Sequence, residues 1–284
     1  NVDFLKNCGM GKATGMGKKV IVLGGGNVAF DCARSAKRLG AEEIHVACLE
    51  AREHMTADEE EIQQAVEEGI MIHPAQTFER ITGTGHVTGV DFMNVKSFTF
   101  DENHRAVIHR EENSEHHIEA DTVIFAVGQR PDITEEAGLA LGRGNSIAVR
   151  DIETDKATSV DGIFAAGDAI YGTKSVIMAI ESGREAAAQI DQYLGGNGDI
   201  SEKLAPEQKP DAYIGICEGF GYMQRKNRCI DSPESRCNNF ELFDHGICDS
   251  DICAEAGRCL QCDLRLQISK PRVWGDYAEG KEEK

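Results

Sequence analysis

Residues 18–29 read Lys18-Lys19-Val20-Ile21-Val22-Leu23-Gly24-Gly25-Gly26-Asn27-Val28-Ala29. The spacing Gly24-x-Gly26-x-x-Ala29 after four apolar residues predicts a strand, a tight turn and the start of a helix. The first glycine permits the bend, and the second lets a pyrophosphate approach the backbone. The free N–H groups at the helix N-terminus favour the phosphates. The sequence therefore predicts a dinucleotide-binding loop made of Gly24, Gly25, Gly26, Asn27, Val28 and Ala29.

The residue that separates the two nicotinamide dinucleotides is expected at the end of the second strand. That strand is predicted at residues 44–49, and Glu50 follows it, 24 positions after Gly26. A carboxylate there accepts hydrogen bonds from the ribose diol of NAD and repels the 2′-phosphate of NADP. Arg52 lies two positions further on and offers a charge that suits the 2′-phosphate. The sequence favours NAD(H), with NADP(H) as the alternative.

The segment after Glu50 predicts a second helix and a third strand. Thr56-x-x-Glu59 matches a capping box, which predicts a helix from Thr56. Its inward side chains are expected to be Ile62, Ala65 and Val66. A short strand at residues 70–72 completes a β-α-β-α-β order, which indicates a parallel sheet.

Beyond residue 78 the pattern changes twice. Alternating segments with turn signals from 78 to 118 predict an antiparallel meander. Apolar runs at 121–127 and 162–166 predict two buried strands, and Gly167-Asp168 follows the second. A long helix after Thr173 is expected to face inward with Val176, Ala179, Ile180, Gly183, Ala187, Ile190 and Leu194.

Composition limits the class of protein. The chain has 284 residues and a net charge of −19, which argues against nucleic acid and anionic membrane surfaces as partners. It contains no apolar run of the roughly 18 residues that a membrane span needs, and no signal peptide is recognisable at Asn1. Because the sequence does not begin with Met, we expect a piece of a longer protein or a processed product. Of the ten cysteines, three are scattered and seven lie in the last quarter of the sequence; because a disulfide scaffold would be small and secreted, we expect a reduced, cytoplasmic setting.

Four motifs occur in an order that resembles a known family. Residues 18–40 are followed by Glu53-His54-Met55, then by Ala126-Val127-Gly128-Gln129-Arg130-Pro131-Asp132, and then by Gly162-Ile163-Phe164-Ala165-Ala166-Gly167-Asp168. The set resembles the flavoproteins of the glutamate synthase small subunit family, which use FAD and NAD(P). The resemblance covers residues 1–196. It implies an α/β fold in which a nicotinamide domain is inserted within an FAD domain.

The resemblance also implies where FAD would bind. Asp168 of the Gly167-Asp168 motif would hydrogen-bond the cofactor, and the helix that begins near Ser175 and Val176 would point its positive end at the flavin. The chain would return from the nicotinamide domain through Val127, Gly128 and Gln129. The glycine-rich loop for the ADP half of FAD does not precede residue 18. We expect that missing half elsewhere in the same longer chain or on another subunit; poor FAD binding by this piece is the alternative.

A second departure from the family supports NAD. NADP-dependent relatives carry paired arginines after the second strand, and Leu49 and Glu50 stand at those places. A dithiol relay like that of the disulfide reductases is not indicated, because no closely spaced cysteine pair lies beside the nucleotide motifs. Cys32 and Cys48 are expected to pack in the core. Since the two cofactors perform the chemistry, we nominate no catalytic side chain.

The last quarter of the sequence is rich in cysteine. Cys259-Leu260-Gln261-Cys262 is a half-site typical of iron–sulfur clusters and zinc, and Cys248 and Cys253 would complete four thiolates. Cys237 or Cys229 are possible substitutes. Thiolate ligands and redox neighbours favour iron–sulfur. A loose tail with incidental thiols is the alternative.

Together these features predict four parts. Residues 1–17 form a lead-in, 18–119 a Rossmann-like NAD(P)-binding domain with a β-meander, 120–198 the C-terminal segment of an FAD-binding domain, and 199–284 a cysteine-rich extension with an acidic tail. We expect a flavin-dependent oxidoreductase that passes electrons from NADH through FAD to an iron–sulfur protein or a larger redox complex. The alternative is a non-catalytic nucleotide-binding or scaffold subunit whose tail binds a metal.

Overall fold

A computed structural model describes residues 1–12, 14–101, 106–133, 138–201 and 219–260. Contacts divide the chain into two compact units. The first comprises Asn1–Ser201 together with Pro233–Phe240, and the second comprises Glu202–Ser232 and Glu241–Lys284. The four-part division expected from the sequence stays a prediction.

The first unit begins with a helix and a parallel α/β layer. Its elements are α1 (Val2–Gly9), β1 (Lys19–Leu23), α2 (Asn27–Arg38), β2 (Glu43–Ala47), α3 (Glu59–Glu67), β3 (Met71–His73) and β8 (Thr122–Phe125). The four strands form one parallel sheet in the order β3-β2-β1-β8, in which Val22 pairs with both Val46 and Ile124. The predicted Rossmann-like order is therefore present. Its last strand follows the meander and lies beyond the boundary expected at residue 119.

Each face of this sheet is buried against a different layer. On one side, apolar residues of β1 and β2 pack against α2 and α3 in a core that includes Val20, Val22, Ala29, Phe30, Cys32, Val46 and Ile62. On the other side, Ile21, Leu23 and Ala47 pack against Val90, Phe92 and Ala120. Burial on both faces explains why β1 reads as a continuous apolar run rather than an alternating one.

The second layer is the antiparallel meander that the sequence predicts. It consists of β4 (Gln76–Thr82), β5 (Gly89–Phe100), β6 (Ala106–Arg110) and β7 (His116–Glu119). The strands follow the order β4-β5-β6, and β7 also pairs with β5. Phe92 on the long β5 strand is almost fully buried between the two layers.

The rest of the first unit contains a hairpin and two helices. These are β9 (Val149–Asp151), β10 (Asp155–Thr158), α4 (Asp168–Tyr171) and α5 (Val176–Tyr193). The strand predicted at residues 162–166 is wrong, because this segment makes a single bridge from Phe164 to Ala157. Its backbone makes two hydrogen bonds with β10: the Thr158 N–H donates to the Ile163 carbonyl at 2.9 Å, and the Ala165 N–H donates to the Lys156 carbonyl at 3.0 Å.

Two predicted helix details are also wrong. The capping box at Thr56 does not form, because α3 begins at Glu59 and is preceded by Asp58; Val66 is 56% exposed, whereas Ile62 and Ala65 are buried. The predicted inward side of α5 is largely exposed, with Val176 at 75% and Leu194 at 77%. The buried side instead carries Ser182 and Ala186, because the Ser182 hydroxyl accepts a hydrogen bond from the Gly167 N–H at 2.8 Å.

The second unit is described at residues 219–232 and 241–260. It contains a 3-10 turn at Phe220–Tyr222 and α7 (Asp249–Gly257), and a bridge joins Ile230 to Asp244. Between the two halves of this unit the chain enters the first unit, where it forms α6 (Pro233–Arg236). Within the described residues, no helix has the length and apolar character needed to cross a membrane.

Candidate nucleotide-binding site

A cleft of about 820 Å³ opens where β1, β2 and β8 end. The carboxyl ends of parallel strands are where open α/β sheets bind ligands. Nine of the predicted site residues line the cleft: Gly24, Gly25, Gly26, Asn27, Val28, Glu50, Val127, Gly128 and Gln129. Ala29 lies beneath it, fully buried between helix and strand. The glycine-rich loop and the Val127–Gln129 crossing, 101 positions apart at Gly26 and Val127, are thus brought to one place.

The glycines are required by their surroundings. Gly24 has a φ of +139°, and a Cβ atom there would lie 2.3 Å from the Ala126 carbonyl oxygen. A Cβ on Gly25 would meet the Cys48 side chain at 2.9 Å. Gly26 precedes α2 and supplies no side-chain cap, so the first N–H groups of this helix are left for another acceptor. A phosphate group fits this arrangement.

Glu50 lies directly beside the glycine-rich loop. One of its carboxylate oxygens is 3.0 Å from the place that a Gly25 Cβ would occupy. Its backbone carbonyl accepts the Ala75 N–H at 2.7 Å, which fixes the residue to the turn after β3. The carboxylate therefore lies at the edge of the cleft, beside Gly25.

Arg52 is turned towards a different acid. Its guanidinium donates to both carboxylate oxygens of Glu59, at 3.0 and 2.6 Å. The hydrogen bond to Glu59 raises the pKa of Arg52, and the same bond lowers the pKa of Glu59. Arg52 is not among the residues that line the cleft.

The Asn27 side chain is engaged with Asp58, a residue that sequence reasoning missed. Its Oδ1 accepts the Asp58 N–H at 2.8 Å, and its Nδ2 donates to the Asp58 carboxylate at 3.1 Å. No local pattern pairs these positions, because they begin different helices 31 residues apart. Other cleft residues that the sequence did not indicate include Asn1, Thr56, Gln76, Phe78, Thr173 and Lys174.

The buried cysteines have the packing role expected of them. Burial, and after it the charge of Glu50, raises the pKa of the Cys48 thiol to about 12. Burial raises the pKa of the Cys32 thiol to about 11. Both side chains are therefore neutral at physiological pH, and neither is suited to act as a nucleophile.

The residues proposed for the flavin lie around the start of α4 and α5. Gly167 has a φ of +66° and precedes α4, whose first residue is Asp168. The Asp168 carboxylate accepts the Lys174 N–H at 3.4 Å. Ser175 caps α5 by accepting the Met178 N–H at 3.3 Å, and Val176 begins the helix with an exposed side chain. Thr173 and Lys174, which connect the two helices, reach the nucleotide cleft.

The predicted metal ligands are described only in part. Cys248 immediately precedes α7, Cys253 lies within it and Cys259 follows it, and all three are exposed. Cys262 lies outside the described residues. Across the ranges that the structure describes, no group of three or more His, Cys, Asp or Glu side chains is placed to hold a metal. The four-thiolate site stays a prediction.

Comparison with known proteins identifies the family. The model of the family described as pyridine nucleotide-disulphide oxidoreductase matches residues 1–183. The chain belongs to this family. Members of this family bind FAD and NAD(P)H. The resemblance indicated by the sequence motifs is therefore confirmed.

Curated relatives match at moderate identity. The chain is 31% identical over 274 residues to the NADP(+)-dependent formate dehydrogenase subunit beta of Moorella thermoacetica, covering 92% of this chain and 38% of that protein. It is 35% identical over 201 residues to the NADPH glutamate synthase small chain of Azospirillum brasilense, covering 69% of this chain and 41% of that one. The chain therefore spans about two fifths of the length of these relatives. The first match covers 92% of this chain, so it includes most of the cysteine-rich extension.

A solved structure shows the same fold. FprA from Mycobacterium tuberculosis, in a mutant form, matches with a TM-score of 0.52 at 13% identity, covering 63% of this chain and 53% of that chain. At this identity the likeness concerns the fold alone. It agrees with the Rossmann-like order of the parallel sheet.

Proposed function

We propose that this chain binds NADH in the cleft and that electrons pass from it through FAD to an iron–sulfur acceptor. The observation that carries the donor assignment is the Glu50 carboxylate beside Gly25. The acceptor lies on a partner subunit or in a larger redox complex, and free thiols at every described cysteine favour a reducing compartment, the cytoplasm.

Two charges near the ribose favour NADH over NADPH. The Glu50 carboxylate would accept hydrogen bonds from a 2′,3′-diol, whereas a 2′-phosphate would meet a like charge. Arg52, whose charge suits a phosphate, is paired with Glu59 through two hydrogen bonds. The two relatives described above carry NADP or NADPH in their names, so the proposed NADH preference rests on Glu50 and Arg52 of this chain and not on those relatives.

The residues at the start of α4 and α5 fit the flavin end of FAD. Asp168 offers a carboxylate next to a glycine of positive φ, and α5 offers the positive end of an 18-residue helix. When bound, FAD would accept a hydride and release electrons singly. The chain's own contribution is to hold the nicotinamide of NADH near that place, through the cleft that Thr173 and Lys174 share with the glycine-rich loop.

The cysteine-rich extension supports an iron–sulfur acceptor. Its thiols at Cys248, Cys253 and Cys259 are exposed, and thiolate is the ligand that iron–sulfur clusters take. The formate dehydrogenase relative, whose match includes most of the extension, is named as a subunit. A non-catalytic subunit with a metal-binding tail is the second candidate, favoured by the exposed thiols of Cys248, Cys253 and Cys259.

The donor assignment is tested by comparing NADH and NADPH in the FAD-loaded protein. We expect NADH to bleach the flavin absorbance and to give the higher kcat/KM. Glu50→Gln is expected to lower the NADH-to-NADPH selectivity about tenfold, the value of one hydrogen bond to a charged group. Glu53→Gln, an exposed acid in the same loop, is the matched control and is expected to leave selectivity unchanged.

Two results would contradict the proposal in different ways. A preference for NADPH that Glu50→Gln does not alter would show that Glu50 is not the selecting residue. A flavin that neither nucleotide bleaches would favour the non-catalytic subunit.

A further inference from the structure

The proposed NADH site is formed by two loops that are hydrogen-bonded to each other. One is the glycine-rich loop, and the other is the selectivity loop, which we define as residues 48–58 between β2 and α3. The buried Ala57 donates its N–H to the Gly25 carbonyl at 3.1 Å. Next to it, Asn27 and Asp58 exchange two hydrogen bonds, at 2.8 and 3.1 Å. We call this reciprocal pair the Asn27–Asp58 clasp.

The clasp uses side chains that ordinarily serve their own helices. Asp58 immediately precedes α3, yet its carboxylate makes no capping bond to that helix. It accepts instead from the amide of Asn27, the first residue of α2. A carboxamide has both a donor and an acceptor, so one Asn side chain can serve the Asp58 N–H and the Asp58 carboxylate together.

The two ends of the selectivity loop are thus fixed in different ways. At the start, the Glu50 carbonyl and the Cys48 carbonyl accept the N–H groups of Ala75 and Gln76, each at 2.7 Å. At the end, the clasp holds Asp58, and Glu59 follows as the first residue of α3. Glu59 is the acid that holds Arg52. Releasing the clasp therefore loosens the anchor of Arg52 while leaving Glu50 attached at its own end.

We propose that Asn27 and Asp58 are positioning residues that set the choice between NADH and NADPH, a role that rests on the proposed donor site. The clasp keeps Arg52 on Glu59 and leaves Glu50 as the charge that faces the ribose. Without the clasp, Arg52 reaches a 2′-phosphate more readily. Neither residue touches the reacting atoms, so the effect falls on nucleotide affinity rather than on the rate of hydride transfer.

The test is a double-mutant cycle read with NADH and NADPH separately in the FAD-loaded protein. Asp58→Ala and Asn27→Ala are each expected to lower the NADH-to-NADPH selectivity, read as the ratio of the two dissociation constants, about three- to tenfold, as for one neutral or charge-assisted hydrogen bond. The double variant is expected to be no worse than Asn27→Ala, because the pair acts as a unit. Asp58→Asn keeps an acceptor for the Asn27 amide and is expected to stay within about twofold of the parent protein.

Different results would contradict the role of the clasp and the assignment of NADH as the donor. If NADPH is the better donor of the parent protein, the NADH assignment fails. The double-mutant cycle still tests the clasp in that case. The clasp requires that each single variant changes the ratio of the two dissociation constants and that the two changes are not additive in the double variant. Additive effects, an unchanged ratio, or equal losses for both nucleotides would overturn the clasp. Urea unfolding of each variant identifies a loss that comes from unfolding, and Asp58→Asn then supplies the folded comparison.

Discussion

Gly24 occupies a backbone conformation that few other residues tolerate. Its φ of +139° lies in the region that disfavours a Cβ atom, and the added atom would lie 2.3 Å from the Ala126 carbonyl oxygen. Gly24→Ala is therefore expected to push β1 and β8 apart at the cleft. We predict at least a tenfold weaker NADH affinity by calorimetry, with a lower free energy of unfolding by about 2 kcal/mol or more.

A second glycine provides the control for that substitution. Gly183 lies inside α5, and a Cβ there would have no atom within 4 Å. Gly183→Ala is expected to stabilise the protein by up to about 1 kcal/mol, through helix propensity. Equal effects of the two substitutions on NADH affinity would contradict the packing explanation for Gly24.

Two histidines between the sheet and the meander form a pH-sensitive contact. His45 Nδ1 and His73 Nε2 are 2.8 Å apart, and His45 Nε2 is 3.1 Å from a Glu43 carboxylate oxygen. Burial lowers the pKa of His73, and the neighbouring His45 and His116 lower it further. The folded protein therefore binds a proton at His73 less readily than the unfolded chain does, so protonation favours unfolding.

The stability that the neutral His73 contributes is present above the pKa of 6.5 of the unfolded chain, and it is lost as the pH falls below that value. We predict that the free energy of unfolding in urea falls between pH 7.5 and 5.5, by at most about 1.4 kcal/mol per pH unit from this one group. His73→Gln is expected to reduce that slope. His109→Gln, on the exposed side of β6, is the control and should retain it; an identical slope in both variants would assign the effect to other groups.

At the scale of elements, α6 is attached to the nucleotide domain by a buried charge cluster. The Glu68 carboxylate has no exposed side-chain surface and accepts from Arg34 at 2.8 Å, Arg38 at 3.1 Å and Arg236 at 2.8 Å. Arg236 also pairs with Glu67 at 2.8 Å. Burial opposes ionisation of Glu68, but the arginines outweigh it, so the pKa of Glu68 is lowered. Residues 233–240 are thereby an integral part of the first unit.

We predict that Arg236→Met lowers the free energy of unfolding by about 2 kcal/mol in urea. The loss is moderate because Arg34 and Arg38 still neutralise Glu68. Arg150→Met is the control: Arg150 is an exposed arginine 3.8 Å from Asp155, and its loss is expected to cost less than about 1 kcal/mol. Indistinguishable unfolding curves for the two variants would contradict the role of Arg236.

The elements that the sequence predicted well are those whose pattern is local. β1, α2 and the meander follow from apolar periodicity and turn residues, and each is present. The sequence correctly predicted an apolar stripe on α5 but wrongly predicted that this stripe is buried. Periodicity shows that a helix has an apolar face, but it does not show which face other elements pack against. Similarly, Thr56 matched a capping pattern, but the Asn27 side chain, distant in sequence, fixes the start of α3 through Asp58.

At the scale of the whole molecule, the cleft residues that were predicted are again those with a local sequence pattern. Gly24, Gly26 and Glu50 were found from spacing, because one β-α-β unit contains them all. Thr173 and Lys174 were missed, since only the return of the chain after the meander brings them to the cleft. The proposed acceptor site would use a set of thiols that includes Cys262, which lies outside the described residues, and the four-thiolate site is still a prediction from spacing.

The pairing of β8 with β1 has a consequence for how the chain is made. Ile124 is placed beside Val22 in the sheet, although 102 positions separate them. A ribosome that adds about 5–20 residues per second needs roughly 5–20 s to synthesise that interval. During that time one edge of β1 has no strand to pair with, and an open edge promotes association with other chains. Since Ala126 also borders the glycine-rich loop, the proposed dinucleotide site is complete only after the meander has been synthesised. NAD(P)H bound there would stabilise the nascent chain only from that point on.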